Sequence, residues 1–98
     1  MSLSPDDVPR LPRGVRMRFD GVRGAHVLLA PERTFDLDQN AVAVLSLVDG
    51  ARSIRAIAEA LAAQYDAPRS VIEPDVITML NGLAEKRVLD TAPAAPPA

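Results

Sequence analysis

The sequence predicts an α+β domain: a three-stranded antiparallel β-sheet followed by three α-helices, winged helix-turn-helix-like in arrangement. Three observations carry the prediction. Apolar and basic residues alternate with period two near residues 15–19, a glycine-bearing turn separates them from a second apolar run, and apolar residues then recur at helical spacing in three stretches between residues 41 and 87.

Val15, Met17 and Phe19 alternate with Arg16 and Arg18, giving one apolar and one basic face, the pattern of a half-buried strand. Asp20, Gly21 and Gly24 supply turn chemistry, and residues 25–30 return as the second strand of a hairpin. Pro31 interrupts pairing. Residues 34–37 alternate again, with Phe35 and Leu37 on one side, which makes a short third strand at a sheet edge.

Asp38 is placed to cap a first helix whose Ala41, Val44, Leu45 and Val48 fall at i, i+3, i+4 and i+7, ending near Asp49 and Gly50. Ser53 caps a second, in which Ile54, Ile57, Ala58, Leu61 and Tyr65 form the apolar stripe, up to about Gln64. Pro68 breaks the chain. A third helix carries Val76, Ile77, Met79, Leu80, Leu83 and Ala84 to about Arg87. Its start has two readings: Ser70 and Glu73 fit a capping box, whereas Pro74 suits the first helical position and disfavours helical geometry at Glu73.

With 98 residues, 48% hydrophobic and 24% charged, the chain can build one modest core, expected over residues 14–89. Residues 1–13, with Pro5, Pro9 and Pro12, read as a flexible or loosely docked segment, and residues 90–98 as an Ala/Pro-rich tail, disordered or loosely docked. No apolar run reaches the roughly 18 residues of a membrane span, and the first residues lack the pattern of a signal peptide. A cytoplasmic protein without a membrane partner is expected.

Cysteine is absent and His26 is the single histidine, so neither a metal centre nor a cofactor is expected. The carboxylate pairs Asp6/Asp7 and Asp36/Asp38 do not serve as acid and base, because the first lies in the flexible segment and Asp38 is a helix cap. The glycines lack nucleotide-loop spacing. No catalytic residue is expected, and the protein reads as a non-enzyme. A net charge of −2 gives no general attraction to nucleic acid.

Binding chemistry resides in the edge strand, whose unpaired N–H and C=O groups can accept a peptide as an added strand or simply form an edge protected by charge. On the third helix, Met79 and Ile77 lie at the margins of an apolar arc wider than a core stripe needs, and methionine adapts to irregular partners. Arg16, Arg18, Arg23 and Arg33 lie in or near the hairpin, where they can steer an acidic peptide, dock against an enzyme or simply solvate a face. The rival function is a winged-helix DNA-binding regulator. Asn81, Lys86 and Arg87 of the third helix are balanced by Glu73, Asp75 and Glu85, which disfavours it.

The ordered blocks Arg23-Gly24, Leu28-Leu29-Ala30-Pro31-Glu32-Arg33, Leu37-Asp38, and Ala41 with Leu45, Leu47, Val48, Asp49 and Gly50 resemble the pyrroloquinoline quinone biosynthesis protein D family (PqqD). Ser53, Ile57, Leu61 and Tyr65 continue the match, as do Ile72, Asp75-Val76, Leu80, Leu83, Lys86 and Leu89, so that it runs from about residue 15 to 89. The Ala/Pro tail carries no family motif.

The resemblance implies a recognition element for ribosomally made peptides. Such a peptide chaperone binds the precursor peptide of pyrroloquinoline quinone and presents it to a radical S-adenosylmethionine enzyme, which cross-links a glutamate and a tyrosine. It further implies that the peptide adds beside the third strand and against the third helix. The candidate peptide-binding residues are then Arg33, Thr34, Phe35, Asp36 and Leu37 with Val76, Met79, Leu83 and Lys86. The same exposed edge leaves open the pairing of two copies into a homodimer.

Overall fold

Two antiparallel sheets and three helices make up the computed structural model, which describes residues 3–92. Strands β2 (Arg16–Asp20), β3 (Ala25–Ala30) and β4 (Arg33–Asp36) form the expected three-stranded sheet in the order β2-β3-β4. Met17 lies opposite Leu28, and Leu28 opposite Phe35, so these three side chains share the inner face. Leu28, in the middle, is fully buried.

Local chemistry explains the turns. Asp20 Oδ1 accepts from the Val22 and Arg23 N–H groups, and Gly24, at φ +68°, donates to the Asp20 carbonyl at 2.8 Å. Between β3 and β4, Pro31 is followed by Glu32 at φ +63°, the order of a type II turn.

A second sheet pairs β1 (Val8–Arg10) with β5 (Asp90–Ala92). Here the structure departs from the flexible segment read over residues 1–13. Pro9 is fully buried, Ile54 N–H donates to the Asp7 carbonyl at 2.9 Å, Arg55 N–H to the Pro5 carbonyl at 2.8 Å, and the Arg55 side chain meets Asp6 at 2.6 Å. A strand of three residues has too few positions for alternation to show, and its partner lies at the far end of the sequence. Asp90–Ala92 likewise leaves the Ala/Pro tail; its remainder, residues 93–98, lies outside the described residues.

Helix α1 (Gln39–Leu45) is capped by Asp38, which accepts from Ala41 N–H at 2.8 Å. It stops earlier than the apolar spacing through Val48 suggests, because Leu47 and Val48 continue only as tight turns onto the Val44 and Leu45 carbonyls. In the following turn the Asp49 carboxyl accepts the Arg52 and Ala51 N–H groups, which hold it below the usual carboxylate range. Helix α2 (Ile54–Tyr65) is capped by Ser53, as expected, and ends on Asp66 at φ 52°.

Helix α3 (Arg69–Glu85) begins before both starts read from the sequence. Pro68 is its N-cap, without a side-chain bond, and Pro74 sits inside it, so the Ser70 carbonyl has no N–H partner at that position. Helical geometry at Glu73 is disfavoured before proline, but it places Ile72 and Val76 against the core. The buried Glu73 carboxylate oxygen meets Arg69 Nε at 3.5 Å. At the other end Arg87 adopts φ +61°, with Arg87 N–H on the Ala84 carbonyl and Val88 N–H on the Leu83 carbonyl, a Schellman stop.

The core lies between the inner face of the sheet, α2 and α3, where Leu28, Ile54, Ile57, Leu80 and Val88 are completely enclosed. Among the described residues no helix is long and apolar enough to cross a membrane.

Leu80→Ala should lower the unfolding free energy by about 2–5 kcal/mol, since the cavity it leaves is walled by neighbours from separate elements. Urea unfolding measures the loss. Asp49 should titrate below 3.8 in the folded chain. Its depressed value means that its stabilisation is present above the unfolded pKa and is lost as the pH falls through the folded one. Carboxyl-carbon NMR shifts against pH read the midpoint.

Candidate functional site

Strand β4 is the outer strand of its sheet, and one bond fixes the direction of its backbone groups. Leu37 N–H donates to the His26 carbonyl at 3.1 Å, which makes Leu37 and His26 a hydrogen-bonded pair. Antiparallel ladders alternate, so Phe35 opposite Leu28 and Arg33 opposite Ala30 also bond inward to β3. Thr34 and Asp36 therefore turn their N–H and C=O groups away from β3, to the open edge.

The side chains of β4 divide in the same way. Phe35, half-buried, points to the inner face, whereas Thr34 and Asp36 are exposed on the outer face, where Asp36 pairs with Arg23 of the hairpin turn. Leu37 is half-buried and packs on the core.

Helix α3 packs on α2, and its C-terminal end comes up to β4. At its C-terminal end the Arg33 guanidinium donates to the Lys86 carbonyl at 2.6 Å. Arg33 and Lys86 place their cationic ends 5.4 and 5.6 Å from the Phe35 ring centre. Towards its N-terminal end, α3 lines a cavity of about 330 Å³ with Ile72, Asp75, Val76 and Met79. Asn40, Ala43 and Val44 of α1 and Leu61 and Tyr65 of α2 form the other walls.

Seven of the nine predicted residues thus fall into three groups, and Leu37 and Leu83 pack with the core. Arg33, Phe35 and Lys86 come together in one stack, Val76 and Met79 line the cavity, and Thr34 and Asp36 supply the open backbone edge. The sequence reading missed Asn40, Ala43, Tyr65, Ile72 and Asp75. Tyr65 falls on the apolar stripe of α2 and so reads as core, but it is 55% exposed at the cavity. Ala43 lies off the stripe of α1, and no local signal singles it out.

His26 is half-buried and meets Phe19 edge to face at 5.1 Å, a packing contact. Among the described residues no three His, Cys, Asp or Glu side chains are grouped so that they could hold a metal ion.

Fold and site together define a small α+β domain in which the open edge of β4 ends close to the C-terminal end of α3. The family model described as coenzyme PQQ synthesis protein D (PqqD) matches residues 25–89, and the chain belongs to this family. It is 64% identical over 89 residues to the bifunctional coenzyme PQQ synthesis protein C/D of Methylorubrum extorquens, covering 91% of this chain but only 24% of that protein. To the PqqA binding protein of Rhodopseudomonas palustris strain HaA2 it is 48% identical over 92 residues, 94% of this chain and 90% of the relative.

Two solved structures are similar. The solution NMR structure of the PqqD truncation of Methylobacterium extorquens PqqCD is described as a functional, stand-alone recognition element for ribosomally synthesized and post-translationally modified peptides. It superposes with a TM-score of 0.80 at 64% identity, covering 91% of this chain and 95% of that one. The crystal structure of PqqD from Xanthomonas campestris gives a TM-score of 0.58 at 45% identity, covering 91% and 99%.

The ladder parity makes a direct prediction about folding. Thr34→Pro and Asp36→Pro remove N–H groups that β3 does not use, and should leave stability within about 1 kcal/mol of the parent. Phe35→Pro removes the donor to Leu28 and should cost roughly 1–3 kcal/mol beyond any packing loss. Thermal melts followed by circular dichroism compare the three.

Proposed function

We propose that the chain is a peptide chaperone that binds the precursor peptide of pyrroloquinoline quinone, catalyses nothing itself, and presents the peptide to the radical S-adenosylmethionine enzyme of the pathway. The observation that carries this reading is the open edge of β4: the outward main-chain groups of Thr34 and Asp36 offer a ladder to an extended peptide, beside a helix that can meet its side chains. Relatives named PqqA binding protein, and a 64% identical recognition element, support it.

A peptide strand added to β4 directs alternate side chains towards α3. Apolar ones have the cavity bordered by Ala43, Tyr65, Ile72 and Met79 to enter. Binding needs no cofactor or metal, because the edge and the cavity both belong to this chain. The complex forms in the cytoplasm. Duplex DNA is not its partner, since the charges of α3 are mixed in sign.

Calorimetry with synthetic PqqA peptide tests the reading. Parent protein alone should release heat of binding, without the radical enzyme. Thr34→Pro and Asp36→Pro each remove one main-chain hydrogen bond and should weaken affinity about fivefold to tenfold, on the order of 1 kcal/mol. Met79→Asp should weaken it at least as much, by placing a charge against the peptide's apolar residues. Folded variants that all bind like the parent would remove the β4 edge as the site.

A further inference from the structure

We infer that Arg33 and Lys86, held over Phe35, form a fixed cationic clasp that reads one acidic side chain of the bound peptide; this rests on the peptide-binding reading above.

Arg23, Arg52, Arg55 and Arg69 are all engaged by carboxylates. Among the described residues Arg33 and Lys86 have no carboxylate within ion-pair distance, although Glu32 and Glu85 are their neighbours in sequence. Arg10, Arg13, Arg16, Arg18 and Arg87 are also without one. What separates Arg33 and Lys86 is restraint: both cations lie on the Phe35 ring, and Arg33 is further fixed by the Lys86 carbonyl at 2.6 Å. A charge already held in place loses little freedom when a carboxylate binds.

The end of a helix ordinarily repels an anion, because its last carbonyls are bare. Here the carbonyls of Gly82, Leu83 and Ala84 in the last turn, and of Lys86 just beyond it, are occupied. The Gly82 carbonyl takes the Lys86 N–H, Ala84 the Arg87 N–H, Leu83 the Val88 N–H, and Lys86 the Arg33 guanidinium. A carboxylate arriving at this end of β4 therefore meets two cations where most of the last carbonyls are already engaged.

The opposite end is unlike it. The cavity beside Met79 is apolar except for Asn40 and Asp75, and Asp75 disfavours an acidic side chain there. Charge thus sets the direction of the peptide: acid towards Lys86, apolar residue towards Met79. Seven residues of α3 separate these positions, roughly 10 Å of helix, or about three residues of extended chain. The acidic residue should stand about three or four positions from the apolar residue that fills the cavity.

Calorimetry with synthetic PqqA peptide, and with peptides in which each Asp or Glu is changed in turn to Asn or Gln, tests the clasp. Lys86→Gln is the informative variant, since it keeps the carbonyl that holds Arg33; an NMR amide spectrum checks its fold. It should bind the parent peptide about threefold to tenfold more weakly and show a flatter dependence on salt. One acidic position in the peptide should cost at least a similar factor against the parent protein and clearly less against Lys86→Gln, where Arg33 alone remains. Lysine at that position should restore binding to Lys86→Glu.

Folded Lys86→Gln and Arg33→Gln variants with parental affinity and parental salt dependence would overturn the clasp, as would acidic substitutions with equal effects in parent and variant. If Thr34→Pro weakens binding while those variants do not, the clasp falls and the strand-addition reading stands. If the parent binds no peptide, both fall.

Discussion

Where α3 stops decides where much of the domain lies. Arg87 takes a left-handed conformation that an L residue adopts at a cost of roughly 1–2 kcal/mol, and in return the chain reverses sharply. Val88 and Leu89 then enter the core, where both are buried. The same reversal presents the Lys86 carbonyl to Arg33 and delivers Asp90–Ala92 to β1. Hydrophobic burial of Val88, rather than any preference of arginine, holds the turn.

Much of this architecture is legible in the sequence, for reasons that can be named. The hairpin, the caps at Asp38 and Ser53 and the stripe of α2 are local: each is set by residues within a few positions of one another. The short β1–β5 ladder is invisible because it depends on residues far apart, and only the assembled core brings them together. Pro74 misleads differently. A rule about local geometry gives the right cost but not the outcome, since the burial of Ile72 and Val76 outweighs it. For the site, the edge strand and the helix opposite are readable, whereas the cavity is built from α1, α2 and α3 together and has no periodicity of its own.

The β4 strand keeps its roles separate. Side chains of Arg33 and Phe35 turn inward to meet α3, those of Thr34 and Asp36 turn outward, and the open hydrogen-bonding groups belong to the backbone of the latter two. Main-chain pairing is indifferent to side-chain identity, so under the proposed strand addition any selectivity would rest on side chains around the edge. Asp36 adds a brace: its pairing with Arg23 links the strand to the hairpin turn across the outer face.

The antiparallel pairing of Val8–Arg10 with Asp90–Ala92 brings the two ends of the described chain side by side, on a ladder that contributes no residue to the β4 edge, the Phe35 stack or the cavity. A related sequence makes up about a quarter, 24%, of the bifunctional protein of Methylorubrum extorquens. Such a fold suits covalent linkage to a larger body, because a tether leaving from either end departs from the same point. The domain then sits like a cup on a single stem, and a mechanical pull on such a linker loads the terminal ladder before it reaches the three-stranded sheet.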